Sequence, residues 1–269
     1  MSYPSFEEYT DALRLPPAAV FEDPVLAQGV VRKRDSGLPF ARSGNFALTY
    51  EVSSGGHRYA VRCFHKEADS LERRYEAIGR KLRSIASPYF VGFEFQPAGI
   101  RTESGQYPMV RMEWAEGCTL ARFVSEHRDH PEILRQLRET LRELARHLHG
   151  HDIAHGDIQP SNIIVRTATD LKLIDYDGMF VPELEPWGGT ELGQRNFQHP
   201  GRSWLHFDER LDRFPFAVLD VALESLALQP ALWELTGSDE AGIVLRAADF
   251  ADPAVSPAFS VLAELDGLA

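Results

Sequence analysis

Cysteine is scarce in this chain: there are two among 269 residues, Cys63 and Cys118. Two isolated thiols do not make the disulfide framework of a small secreted domain, and no Cys/His spacing resembles a zinc site, so both are expected to be free. Long apolar runs are missing as well, since none approaches the roughly 18 residues that cross a bilayer. The opening MSYPSFEEYT has neither the basic stretch nor the apolar core of a signal peptide, so the chain is expected to be cytoplasmic, with no membrane partner. Positive charge is in deficit, with 28 Lys and Arg against 40 Asp and Glu and a net charge of −12. That balance excludes a nucleic-acid-coating role. Lysine is the rarest charged residue, confined to Lys33, Lys66, Lys81 and Lys172. Internal repeats and low-complexity blocks are also lacking. What is present, 43% hydrophobic and 25% charged residues, is ordinary for a globular protein large enough for one big domain or two lobes.

Periodicity divides the chain into a strand-rich part and a helix-rich part. Pro4, Pro16, Pro17 and Pro24 mark the opening as a partly irregular lead-in, and residues 1–37 are set apart as an N-terminal extension. FALTYEV (46–52) and HRYAVRCF (57–64) read as a hairpin around Gly55-Gly56. Ala68, Leu71, Tyr75, Ile78, Leu82 and Ile85 then recur at steps of three and four, one apolar helix face stopped by Pro88. Strands are expected near 90–96 and 107–114, across Gly99 and Gly105. From Cys118 onward helices dominate. Leu134, Leu137, Leu141, Leu144 and Leu148 mark a helix ending at Gly150, and 214–228 is apolar nearly all round and reads as a buried helix. Between them, Ile163-Ile164-Val165 and Leu171-Lys172-Leu173-Ile174 suit a small hairpin. The expected fold is α+β and bilobal, a β-rich lobe over 38–114 with one helix and an α-rich lobe over 115–269.

The residues that carry chemistry lie just behind the leucine-faced helix. HGDIQPSNIIV places Asp157 and Asn162 between a helix and a strand, and LKLIDYDG places Asp175 after the next strand. One carboxylate can orient a hydroxyl and take its proton. An amide oxygen and a second carboxylate can hold Mg²⁺ against triphosphate oxygens.

This constellation resembles the protein-kinase-like superfamily. His155-Gly156-Asp157-Ile158-Gln159-Pro160-Ser161-Asn162 is similar to the catalytic loop, Asp175-Tyr176-Asp177 to the Asp-Phe-Gly motif, and the 18-residue step between Asp157 and Asp175 to the family's spacing. The resemblance implies Asp157 as catalytic base and Asn162 and Asp175 as Mg²⁺ ligands. It implies Met112 as the gatekeeper of a hinge whose Glu113 and Ala115 offer backbone groups to the adenine of ATP. Gly193–Pro200 resembles the end of an activation segment. Leu211-Asp212-Arg213-Phe214 resembles the start of the buried helix whose aspartate braces the catalytic loop, although Asp212 serves equally well as a plain helix N-cap.

Several positions depart from the family pattern. Arg62, in Tyr59-Ala60-Val61-Arg62, stands at the lysine that grips the α- and β-phosphates, and its forked guanidinium is not a point charge. Glu76, with Glu72 one turn away, is the expected helix partner of that cation. Of the glycine-rich loop only Gly44 remains in Arg42-Ser43-Gly44-Asn45-Phe46-Ala47, still allowing close approach to a phosphate. Gly156 replaces the arginine that receives an activation-loop phosphate, and Gln159 replaces the lysine at the transferring phosphoryl group. Switching by loop phosphorylation is therefore not expected. Asp177, at the motif's glycine, reads as a turn residue or a further metal ligand. The leading expectation is an ATP- and Mg²⁺-dependent kinase acting on a protein Ser/Thr. A pseudokinase that binds nucleotide and a partner, and a small-molecule phosphotransferase of the aminoglycoside or choline type, remain open beside it.

Overall fold

The computed structural model describes residues 3–44, 46–66 and 71–265. The chain divides into two compact units, Met1–Arg80 with Val91–Trp114, and Lys81–Phe90 with Ala115–Ala269. Among the described residues no helix is long and apolar enough to cross a membrane.

The first unit is built on an antiparallel sheet of β1 (Val30–Val31), β2 (Ala41–Ser43), β3 (Ala47–Ser54), β4 (His57–Phe64), β5 (Phe93–Thr102) and β6 (Gly105–Glu113). The strand order is β1-β3-β4-β6-β5, with β2 also paired to β3. Gly55 and Gly56 turn the β3–β4 hairpin with φ of 60° and 81°, the two positive values that a two-residue turn of matching twist requires. Strand β5 runs through Gly99, where a register shift between Gln96 and Ile100 makes a bulge.

Period-two alternation gives the sheet two different faces. On one, Leu48 opposes Cys63, Tyr50 opposes Val61 and Val52 opposes Tyr59. That face is covered by Tyr9, Leu13, Val20, Phe21 and Leu26. Where the sequence suggested an irregular lead-in, the described opening residues form α1 (Phe6–Ala12), α2 (Pro17–Val20) and α3 (Pro24–Ala27), and their Tyr9, Leu13, Val20, Phe21 and Leu26 share the first unit's core. The Tyr9 hydroxyl donates to the Phe64 carbonyl at 2.6 Å. Ser5 caps α1 by accepting from the Glu8 amide, and Asp23 caps α3 while pairing with Arg111 at 2.7 Å. Glu8 in turn accepts from the Ser104 hydroxyl, the Thr102 hydroxyl and the Ser104 amide, and these hydrogen bonds, that of the Ser104 hydroxyl foremost, hold its carboxyl below the usual range.

The opposite face carries Phe64, Phe93 and Phe95, all within 5.6–5.9 Å ring to ring of Tyr75 on helix α4 (Leu71–Ile85). Of the helix stripe expected from the sequence, Ala68 lies outside the described residues, while Leu71, Tyr75 and Ile78 are buried.

The second unit holds a small sheet, β7 (Cys118–Thr119), β8 (Ile163–Thr167) and β9 (Asp170–Leu173), and helices α5 (Leu120–His127), α6 (Pro131–Gly150), α7 (Arg213–Leu228), α8 (Leu232–Leu235), α9 (Ala247–Ala251) and α10 (Pro257–Ala263). Helix α6 buries Leu134, Leu137, Leu141, Leu144 and Leu148, the stripe its spacing demands. Helix α7 buries residues on several sides, from Pro215 to Ala227. A forked ion pair joins the two helices: Arg138 donates to both oxygens of Asp220 at 2.9 Å, and Arg142 donates to the same carboxylate. Burial alone would raise the Asp220 pKa; the two guanidinium groups outweigh it and lower it. Cys63 and Cys118 are both free thiols.

Candidate functional site

The site of the second unit begins where α6 stops. After a turn through Asp152, Ala154 and Phe180 exchange backbone hydrogen bonds at 3.1 and 2.9 Å, bringing the chain before His155 beside the segment after Gly178. The backbone N–H groups of His155 and Gly156 donate to the two oxygens of Asp212, at 2.5 and 2.9 Å. Asp212 stands at the N-cap position of α7 but makes no capping bond, so bracing this loop is what its carboxylate does. Burial pushes its pKa up, against the opposing pull of His155 and the two amides.

Gly156 takes φ of +80°, and a Cβ there would lie 2.1 Å from the Gly178 carbonyl oxygen. Any side chain would collide with backbone. A glycine at position 156 therefore follows from close packing of the 155–162 loop on the Asp175–Gly178 segment. Asp177 and Gly178 lie in a turn closed by the Met179 amide on the Tyr176 carbonyl at 3.1 Å.

Asp157 is 7% exposed and held through both oxygens. Oδ1 accepts from the Gln194 backbone N–H at 2.7 Å. Oδ2 accepts from Gln159 Nε2 at 2.5 Å and from Asn162 Nδ2 at 2.9 Å. Asn162 Nδ2 also reaches the Asp157 carbonyl at 3.0 Å. A short 3-10 turn, Pro160–Asn162, makes this five-residue return before β8 begins. Asp175 follows β9, and the Ile174 residue before it ties both neighbours: its N–H donates to the Asn162 carbonyl at 3.0 Å, and its carbonyl accepts from His155 Nε2 at 2.9 Å. Asp175 itself adopts φ of +69°, a left-handed conformation uncommon for a residue with a side chain. Tyr176 is fully buried, its hydroxyl donating to the Leu173 carbonyl and its ring edge-on to Phe90 at 5.7 Å. Asp157, Asn162 and the backbone leading to Asp175 are thus one hydrogen-bonded assembly.

Most of the remaining expected residues belong to the first unit. Ala115, half-buried, begins the longer segment of the second unit. Gly44, Arg62, Glu76, Met112 and Glu113 belong to the first. Arg62 is 5% exposed, on the same sheet face as Phe64, across from Thr49 and Val110. Met112, 3% exposed, shares that face, opposite Ala60 and Phe93. The Glu113 amide donates to the Gly92 carbonyl at 2.9 Å. Gly44 closes the β2–β3 turn, its N–H on the Ala47 carbonyl at 2.9 Å. Glu76 is a correction. Its carboxylate is 54% exposed and pairs with Arg80 one turn along, at 3.8 Å. Tyr75 and Ile78 take the inward face of α4, and residue 76 falls about 100° from Tyr75 around the helix. The buried polar residue of that stretch is Arg74.

Sequence reasoning missed the Gly193–Gln194 peptide on Asp157. Gly193, at φ of +79°, would place a Cβ 2.4 Å from Gln198 Nε2 and 2.9 Å from Asp157 Oδ1. The glycine was visible, but its contact is 36 residues distant along the chain.

Among curated proteins the chain is similar to the serine/threonine-protein kinase cds1 of Schizosaccharomyces pombe, 32% identical over 146 residues, covering 50% of this chain and 30% of that one. It is also similar to the serine/threonine-protein kinase ULK3 of Rattus norvegicus, 25% identical over 171 residues, covering 56% and 35%. These likenesses to serine/threonine-protein kinases support a protein-kinase-like superfamily. This kinase-like chain spans about a third of the length of these relatives. No protein-family model matches it. Among solved structures, the PknI kinase domain of Mycobacterium tuberculosis aligns with a TM-score of 0.49 at 15% identity, over 79% of this chain and 78% of that one.

Proposed function

We propose that this chain is an ATP- and Mg²⁺-dependent phosphotransferase of the protein-kinase type, with a protein serine or threonine as acceptor. The observation that carries the reading is the buried Asp157–Asn162 pair, hydrogen-bonded at 2.9 Å and tied through Ile174 to Asp175. The relatives' description as serine/threonine-protein kinases supports the acceptor class.

The residues present suit magnesium. A carboxylate only accepts, so Asn162 must turn Nδ2 toward Asp157, which leaves its Oδ1 as the atom for a cation. With the Asp175 carboxylate this is a hard oxygen set. No cluster of three or more His, Cys, Asp and Glu gathers as a metal cage among the described residues, and Mg²⁺ held by one or two side chains plus phosphate oxygens needs none. Bound magnesium would neutralise charge developing on the transferred phosphoryl group. In this reading Asp157 orients the acceptor hydroxyl and takes its proton. Asn162 and Asp175 hold the metal, and Gly44, Arg62, Met112, Glu113 and Ala115 serve the nucleotide.

Incubation with labelled ATP tests the reading. Transfer to the chain itself or to a generic protein substrate is expected, falling about 100-fold or more in Asp157→Asn. Asp175→Ala should abolish the Mg²⁺-dependent rise in melting temperature caused by ATP. An unchanged rise in that variant would overturn the metal assignment. A second reading, a nucleotide-binding module without transfer, draws on Arg62 at the lysine position and on the outward-facing Glu76. Wild-type protein that shows the Mg²⁺-dependent shift but no transfer would favour it, and increased turnover in Arg62→Lys would identify that position as limiting.

A further inference from the structure

The Asp157 carboxylate is held by groups that carry no formal charge. A carboxylate offers about four lone-pair sites, two on each oxygen. Oδ2 fills both of its sites, with Gln159 Nε2 and Asn162 Nδ2. Oδ1 fills one, with the Gln194 N–H, and keeps one. The Gln159 amide can only face Asp157 with its nitrogen, because the carboxylate is acceptor-only, so it acts here as a donor to the carboxylate and supplies no cation.

The peptide that donates to Oδ1 is itself anchored by amides. Gln194 Nε2 and Asn196 Nδ2 both donate to the Ala241 carbonyl, at 2.9 and 2.8 Å. Asn196 Oδ1 accepts from the Ala247 N–H at 2.9 Å, and its own N–H donates to Gln194 Oε1 at 2.6 Å. Thr190 fastens the beginning of the segment to the Asp177 carbonyl at 2.7 Å. None of these bonds involves a charged side chain, and none leaves a role for a phosphate.

We propose that Gln159 and the Gly193–Gln194 peptide form a charge-neutral clamp. It fixes the rotamer of Asp157, leaves Oδ1 as the oxygen open to an acceptor hydroxyl, and sets the 190–198 segment without phosphorylation. Gln159 and Gln194 are positioning residues: they act through Asp157. The functional part rests on the phosphotransferase reading; the clamp itself does not.

The test separates the two. Amide hydrogen exchange at Gln194 reports the clamp whether or not the chain turns over. Protection in the wild type should fall about tenfold or more in Gln159→Met, which keeps the volume without the donor, and in Gln159→Glu, which exchanges donor for acceptor. Gln159→Lys restores a donor and should keep the protection. In transfer assays, Met and Glu variants should lose about tenfold in kcat with KM for ATP unchanged, since the nucleotide's contacts are untouched. Wild-type protection in Gln159→Met would overturn the clamp. Protection lost as expected, with no transfer by the wild type, would retain the clamp and sink the phosphotransferase reading. Phosphate found on the 190–198 segment and required for activity would overturn the phosphorylation-free setting.

Discussion

In the second unit a glycine and a glutamine stand where the kinase pattern has an arginine and a lysine, and the surrounding backbone is built around both. Gly156 packs on the Gly178 carbonyl, and Gln159 donates to Asp157. In the first unit Gly44 itself takes no positive φ, and Glu76 points to solvent with Arg80 as its partner. The departures in the second unit are integrated into a hydrogen-bonded assembly. Gly44 and Glu76 sit at the surface, Gly44 bonded to Ala47 and His65 through its backbone and Glu76 paired with Arg80. Departure from a motif is thus no measure of loss until the contacts of the new residue are known.

The sharpest way to break this comparison is to add one methyl group in each unit. Gly156→Ala should cost about 3 kcal/mol or more in denaturant unfolding, because the left-handed backbone and the 2.1 Å approach to Gly178 are both violated. Gly44→Ala should stay within about 0.5 kcal/mol, since its Cβ would meet only the Ala47 carbonyl, at 3.2 Å. Similar costs at the two positions would refute the contrast. Next in size is Leu13→Ala, at 1% exposure, expected to lose about 2–5 kcal/mol. A cost near zero would show that the opening helices are dispensable to the first unit. Tyr9→Phe removes only the hydroxyl on the Phe64 carbonyl and should lose about 1 kcal/mol.

A cost of similar size belongs to the α6–α7 ion pair. Asp220 has a lowered pKa, so its contribution is complete above the ordinary carboxylate value and is lost as pH falls through the lower folded one. Asp220→Asn should cost about 1 kcal/mol at neutral pH, and unfolding curves of variant and wild type should converge in acid. A gap that stays constant down to pH ~2 would show that the carboxylate's charge is not what joins the helices.

Much of the framework was legible because it is periodic. The leucine stripe predicts α6, the Gly55-Gly56 dipeptide the β3–β4 hairpin, and all-round apolarity the burial of α7. The Asp157, Asn162 and Asp175 spacing pointed to one site for the same reason: a short turn and a hairpin leave little freedom between them. The opening helices were missed although Ser5-Phe6-Glu7-Glu8 and Asp23-Pro24 are start signals. Four prolines and helices of four to seven residues gave no stripe long enough to outweigh them. Glu76 was misplaced because Glu72 and Glu76 share one side of α4, and their spacing alone does not say that this side faces water.

By itself the sequence determined which residue types stand in the Asp157–Asn162–Asp175 constellation, at what spacing, and on which class of element, because local backbone geometry and side-chain periodicity are written residue by residue. Only the tertiary structure decided that Gly156 must be glycine, that Asp212 braces the loop rather than capping a helix, and that the Gln194 peptide lies on Asp157. Those three facts depend on atoms 22, 56 and 37 residues apart in sequence, and their closeness is fixed by packing that no local pattern records.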